Sequence, residues 1–351
     1  MRRALITGGA GFIGSHLAER LLDRSYEVTV LDDLSTGSIE NIAELKSHRK
    51  FSYFIDTVMN RPLLAELIDG ADVVFHLAAA VGVKLIVKQP VRTIETNIRA
   101  TENVLELAAK KNKTVLVAST SEVYGKSQEA LFSENSDIVL GPTSKSRWCY
   151  AASKIIDEFL TIAYAREREL PAVVVRLFNT IGPRQTGQYG MVVPRFLEQA
   201  LTGRPLTVYG DGSQRRSFTW VADAVEAMTT LVDTRASYGE VFNIGHTKEI
   251  SILELAKLVR AMTDSASPIE LVPFEQAYEP GFEDMQRRMP DITRLQRLIG
   301  YRPTLDLPEM LERMIPYYSE RLDDARVLSI GTVSAPSARV QATVSSSAQS
   351  V

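Results

Sequence analysis

Two short stretches hold residues able to exchange protons: ASTSEVYG at 118–125 and WCYAASK at 148–154. Tyr150 and Lys154 are four residues apart, so a helix would present both on one face. An ammonium beside a phenol favours the phenolate and lowers a pKa that starts near about 10. The hydroxyl of Thr120 could share the proton, and Glu122 adds a carboxylate. Phenol, ammonium and hydroxyl together make a general base able to take an alcohol proton near neutral pH, work usually given to histidine.

These residues must be positioned by elements of a regular pattern. Residues 4–7 are an apolar run, followed by a glycine cluster. Ile13, Leu17, Leu21 and Leu22 then recur at helical spacing, and residues 28–31 form a second apolar run. The alternation continues with strands expected at 72–79, 114–120 and 172–179 and helices at 92–111 and 152–168. This predicts an α/β fold, a doubly wound parallel sheet with helices on both faces. The texture changes after Asn179. Residues 181–196 are rich in Gly and Pro and read as loop, with a helix from Pro194 ending at Gly203. Residues 241–245 read as a buried strand returning to the main sheet, and Ser251 as the cap of a further helix. The expected division is a first domain over 1–178 with a returning segment near 212–250, a smaller interwoven subdomain over 179–320, and a disordered tail over 329–351.

GGAGFIG places Gly9, Gly11 and Gly14 in one glycine spacing and Gly8, Gly11 and Gly14 in another. Such glycines permit a tight turn and close approach of backbone to a pyrophosphate, at the N-terminus of the helix that follows. Asp32 ends the second strand about 20 residues on, where a carboxylate would hold an adenosine ribose diol. Asp32 and Asp33 would repel a 2′-phosphate, and no Lys or Arg stands between Asp32 and Glu44. The expected cofactor is therefore NAD rather than NADP, with Asp56 a candidate for the adenine amino group. A bound nicotinamide would accept the hydride that leaves the same carbon as the alcohol proton.

Composition excludes several other classes. The 351 residues are 45% hydrophobic and 24% charged, with a net charge of −3, and give no sign of a nucleic-acid partner. The single cysteine, Cys149, cannot form an intrachain disulfide, and no Cys/His metal spacing surrounds it. No signal peptide is evident, and the apolar stretch 73–83 is too short for a bilayer. A soluble cytoplasmic protein is expected.

The pieces ITGGAGFIGSHL, VFHLAA, ASTSEVYG, YAASK, RLFNTIGPRQ, LTVYGDGSQRRSFTWVAD and VFNIG resemble the extended short-chain dehydrogenases/reductases that modify nucleotide sugars, over residues 3–318. The resemblance implies transient oxidation of a sugar hydroxyl, usually at C4, by bound NAD. It implies cofactor contacts from Gly8, Gly11, Phe12, Ile13, Gly14, Asp32, Asp33, Asp56, Leu77, Ala78, Ala79, Asn97, Tyr150 and Lys154. It implies substrate contacts from Ser121, Asn179, Val193, Tyr209, Arg216 and Arg288. It also implies a homodimer through the helices near 92–111 and 151–168.

Within that family STSEVYG, GPTSKSRWCYAASK and GFEDMQRRMPDI resemble the UDP-glucuronate decarboxylases, with Thr120, Glu122, Tyr150, Lys154 and Arg288 as the catalytic set. A ketone at C4 lies beta to a C6 carboxylate, and such an acid loses carbon dioxide readily. A UDP-hexose or UDP-hexuronate 4-epimerase is the alternative, since residues 82–88 do not match the decarboxylase loop. A 4,6-dehydratase and a non-catalytic NAD-binding sensor are further alternatives.

Overall fold

The computed structural model describes residues 1–82, 89–187, 191–277, 285 and 287–331. The departure expected at 82–88 lies, beyond Gly82, outside the described residues.

Seven parallel strands form the main sheet: β1 (Arg3–Thr7), β2 (Glu27–Asp32), β3 (Phe51–Ile55), β4 (Val73–His76), β5 (Thr114–Thr120), β6 (Ala172–Leu177) and β11 (Val241–Ile244). Their order is β11-β6-β5-β4-β1-β2-β3. Alternation along each strand builds a core on either face. Ala4, Ile6, Val28, Val30, Val73 and Phe75 pack against the helices Phe12–Asp23 and Val221–Asp233. Leu5, Leu31, Val74, Val115 and Val117 pack against Arg61–Gly70 and Pro90–Lys110. Two buried faces explain why these strands read as continuous apolar runs. Each buried Leu, Val or Phe contributes about 1.5–3 kcal/mol.

The chain runs from β1 outward to β2 and β3, then crosses to β4 on the other side of β1. That reversal opens a crevice at the carboxyl ends of β1 and β4, where ligands bind in open α/β sheets. Thr7 and His76 are register partners there. Ser119 and Thr120 end β5 opposite Arg176 and Leu177 of β6.

A second apolar cluster, with Val193, Phe196, Leu206, Val208, Leu255 and Met310, forms a lobe facing the crevice. Its elements include the helices Val192–Leu201, Ile252–Met262 and Leu307–Gly331, the parallel pairs β7 (Thr180–Ile181) with β10 (Thr219–Trp220) and β8 (Leu206–Tyr209) with β13 (Ile269–Val272), and a three-stranded sheet. That sheet orders β12 (Glu249–Ser251), β9 (Arg215–Ser217) and β14 (Arg287–Arg288). Ser251 does cap its helix, in a reciprocal capping box with Glu254. The last helix runs through Ser329 to Gly331, and the rest of the expected tail, residues 332–351, lies outside the described residues. No helix among the described residues is long and apolar enough to cross a membrane.

Candidate active site

The crevice opens into a cavity of about 1030 Å³ between sheet and lobe. Gly8, Gly11, Phe12, Ile13 and Gly14 line one end, together with Asp32, Asp33, Asp56, Leu77, Ala78 and Ala79. Thr120, Ser121, Glu122 and Tyr150 line the middle, and Asn179, Val193, Tyr209, Arg216 and Arg288 the other end.

The glycine end is shaped by close approach. Gly8 has φ +75°, and a Cβ there would lie 2.8 Å from the Ala78 nitrogen. A Cβ on Gly14 would lie 2.3 Å from the Gly8 carbonyl oxygen, which only glycine avoids. Gly11 caps the helix Phe12–Asp23 without a side chain of its own, leaving the positive helix end open to the cavity. Asp32 accepts from the backbone N–H of Ala10 at 2.9 Å and of Leu34 at 2.8 Å. Its burial nevertheless pushes its pKa upward. Asp56 accepts from the Thr57 N–H and the Asn60 side chain, both at 2.7 Å. This open backbone cradle with a carboxylate at the second strand end fits a dinucleotide.

The proton-transfer residues sit where two elements meet. Thr120 ends β5 and caps the single turn Ser121–Tyr124, accepting from the Glu122 N–H at 3.3 Å. Tyr150 lies in the first turn of the helix Trp148–Glu167, which starts four residues earlier than the sequence suggests. The Thr120 side chain lies close enough to the phenol to favour the phenolate slightly. Lys154 departs from expectation. It is buried behind the cavity wall, and its ammonium donates to Asp157 Oδ2 at 2.7 Å. Burial foremost, with Glu122 and Asp157, pushes the Tyr150 pKa up rather than down, so the protein groups alone keep the phenol protonated. Asn97 likewise lies beneath the wall: its side-chain oxygen accepts from the Ala80 N–H at 2.8 Å, and its amide donates to Ser153 at 3.0 Å.

Beneath this junction the His76 ring bonds Thr7 at 2.7 Å and Thr101 at 3.2 Å. Burial, with Lys154 nearby, drives its pKa down to about 3, so it is neutral. A second buried network braces β5: Ser119 donates to Glu158 at 2.5 Å, and Arg176 donates to the same carboxylate at 2.7 Å.

The lobe end is rich in arginine. Asn179 donates to the Ser217 carbonyl at 2.9 Å, tying the end of the main sheet to β9. The Arg195 guanidinium stacks 4.1 Å from the centre of the Tyr209 ring. Register pairs Arg216 with Arg288 and Arg215 with Arg287. Arg216 and Arg288 therefore share the cavity face, while Arg215 and Arg287 both bond Glu249, at 2.8 and 2.7 Å. Ser121 is buried at the turn beside Glu122. Sequence reasoning missed Arg147. Its guanidinium is buried, lines the cavity and lies 3.5 Å from Glu122, and its signal was its place three residues before Tyr150. Asp157, three residues after Lys154, was equally visible and equally unread.

A doubly wound sheet with this cradle, and a Thr–Tyr pair at its mouth, defines a dinucleotide-dependent enzyme of the short-chain dehydrogenase/reductase type. The family model described as GDP-mannose 4,6 dehydratase matches residues 5–314. The chain belongs to that family, among the extended short-chain dehydrogenases/reductases that modify nucleotide sugars. It is 44% identical to a UDP-N-acetyl-alpha-D-glucosaminuronate decarboxylase of Bacillus cytotoxicus, over 92% of this chain and 99% of the relative. It is 36% identical to UDP-glucuronic acid decarboxylase 1 of Danio rerio, over 92% of this chain and 74% of the relative. Among solved structures it is similar to UDP-glucuronic acid 4-epimerase of Bacillus cereus in complex with UDP-glucuronic acid and NAD. The TM-score is 0.81 and the identity 30%, covering 91% of this chain and 99% of that one.

Proposed function

We propose that this protein is an NAD-dependent decarboxylase of a UDP-linked hexuronate. The observation that carries the reading is Arg288, a buried cation on the cavity face beside Glu122 and near Tyr150. The names of the relatives at 44% and 36% identity support it.

Bound NAD would supply the redox chemistry the chain lacks, taking a hydride from the sugar's C4 and returning one. Gly8, Gly11, Phe12, Ile13 and Gly14 would cradle its pyrophosphate, with Asp32 and Asp33 at the ribose and Asp56 at the adenine. Leu77, Ala78 and Ala79 would face it from the end of β4. Asn97 would act from beneath, through the Ala80 backbone.

Tyr150 would take the C4 hydroxyl proton, relayed through Thr120. The positive charge of Lys154 and of the cofactor would favour the phenolate against the burial that opposes it. With C4 a ketone, the C5–C6 bond breaks, carbon dioxide leaves, and its electron pair enters the C4–C5 enolate. A proton then returns to C5, with Glu122 placed to deliver or relay it. Arg288 would orient the departing carboxylate. Arg216 and Asn179 would hold the diphosphate, Tyr209 and Val193 the nucleoside, and Ser121 the sugar.

The test is to incubate the protein with UDP-glucuronate, UDP-N-acetylglucosaminuronate, UDP-glucose and dTDP-glucose and weigh the products. Loss of carbon dioxide from a uronate is expected. Unchanged mass with an inverted C4 would replace the reading by an epimerase, and loss of water by a dehydratase.

We also propose a homodimer. Val91 and Phe159 are about seven-tenths exposed on the neighbouring helices Pro90–Lys110 and Trp148–Glu167, with Ile94 and Ile156 beside them. Light scattering should give twice the chain mass, and Phe159→Glu should halve it. The division into a dinucleotide domain over 1–178, joined by a returning segment, and a substrate subdomain over 179–320 belongs to the same reading, as does a cytoplasmic location. Limited proteolysis and cell fractionation test these two assignments.

A further inference from the structure

We propose that Asn243 is a positioning residue: its buried amide ties the turn that carries Glu122 to the segment that carries Arg288. It thereby fixes the spacing of the two groups that would handle the sugar's carboxylate and its C5 proton. The inference rests on the uronate reading above.

Asn243 lies on β11, at the edge of the main sheet, in register with Arg176 of β6. Its side chain is wholly buried. Its Oδ1 accepts from the Tyr124 hydroxyl at 2.7 Å. Its Nδ2 donates to the carbonyl of Phe132 at 2.8 Å and to that of Asp291 at 3.1 Å. Two carbonyls require the two donors, so only one orientation of the amide serves all three partners. Tyr124 ends the turn Ser121–Tyr124, two residues after Glu122. Asp291 stands three residues after Arg288.

β14 is a strand of two residues, Arg287–Arg288, paired with β9. Its exit is held by a second anchor. The Phe132 N–H donates to the Met289 carbonyl and the Asp291 N–H to the Phe132 carbonyl, both at 2.9 Å. The Tyr124 ring stacks on Phe132, with centroids 4.7 Å apart. Three segments distant in sequence thus meet at one amide. Two of them lead back to the cavity, where Arg288 Nη2 lies 3.6 Å from Glu122 Oε1. Without the amide, a buried hydroxyl and a buried carbonyl lose partners. The turn and the segment can then drift apart, and a misplacement of about 1 Å can cost about 10²-fold in rate.

The experiment is a double-mutant cycle on kcat/KM for UDP-glucuronate and UDP-N-acetylglucosaminuronate, with UDP affinity by calorimetry and retained NAD measured beside it. Asn243→Ser should lower kcat/KM on the uronate about tenfold or more, while UDP affinity and NAD retention change by about twofold or less. In an Arg288→Ala background the same substitution should cost about threefold or less, because spacing to an absent guanidinium no longer matters. Tyr124→Phe cuts the turn's bond alone and should repeat the pattern with a smaller loss; it carries the cycle if Asn243→Ser does not fold. A mere packing role would weaken UDP and NAD binding together with activity, and its loss would multiply undiminished in the Arg288→Ala background. Either result overturns the proposal, as does unchanged kcat/KM in both variants. If the wild type inverts C4 or releases water instead of carbon dioxide, the uronate reading fails first and takes this inference with it.

Discussion

The two ends of the cavity bind by opposite means. At the glycine end the carboxylates of Asp32, Asp33 and Asp56 line the wall, and backbone at the start of the helix Phe12–Asp23 supplies a positive field. At the lobe end the positive field comes from side chains, chiefly Arg216 and Arg288, with Arg147 near the middle. Both ends would take a diphosphate. The first end does so with local geometry that tolerates nothing larger than glycine. The second uses long side chains brought together by strand pairing. A cradle of backbone suits an invariant cofactor, whereas side chains can be exchanged to suit a sugar.

The largest expected effect is at the junction. Tyr150→Phe should lower kcat by about 10²-fold or more while NAD and UDP still bind, because it would remove the proposed proton acceptor and leave both proposed diphosphate sites intact. A variant retaining a tenth of wild-type kcat would remove Tyr150 from the chemistry.

Next comes the side-chain end. Arg288→Ala should cost about 1.5–3 kcal/mol on a UDP-uronate, roughly 10- to 150-fold in kcat/KM. Binding of UDP-glucose should change far less. Equal losses on both ligands would mean that Arg288 serves the nucleotide rather than the carboxylate.

The backbone end should respond in stability as well as binding. The new Cβ of Gly14→Ala meets the Gly8 carbonyl oxygen at 2.3 Å and the Gly9 Cα at 2.7 Å. Overpacking against backbone costs about 1–3 kcal/mol, and the shifted turn should lose NAD. Differential scanning calorimetry and cofactor retention measure the two. Normal retention at normal stability would contradict the close-approach account of the cradle.

The smallest effect lies beneath the junction. His76 has a folded pKa of about 3 against 6.5 when free. Its contribution is fully present above about pH 6.5 and is lost as pH falls toward 3, because the unfolded chain then binds the extra proton. Between pH 7 and 5 the slope attributable to it approaches about 1.4 kcal/mol per pH unit below 6. Denaturant unfolding of His76→Gln should show a correspondingly flatter profile; an unchanged slope would show that folding does not depress the His76 pKa.

The sequence by itself determined what depends on local spacing. The glycine turn, Asp32 at the second strand end, Thr120 closing β5 and Tyr150 one turn before Lys154 are all readable, because turn geometry and helical or strand periods act over a few residues. The alternating apolar runs likewise specify a parallel sheet covered on both faces. Tertiary structure alone decided which polar groups meet. Lys154 has Tyr150 one turn before it and Asp157 three residues after it, and burial delivered its ammonium to the carboxylate. His76 became neutral because the fold closed Thr7 and Thr101 around it. Arg147 and Arg288 reach one glutamate from distant parts of the chain, because pairing of β14 with β9 sets where the second guanidinium arrives. Long-range register and desolvation choose among partners that local spacing leaves equivalent, and that choice is the part of the site no motif contains.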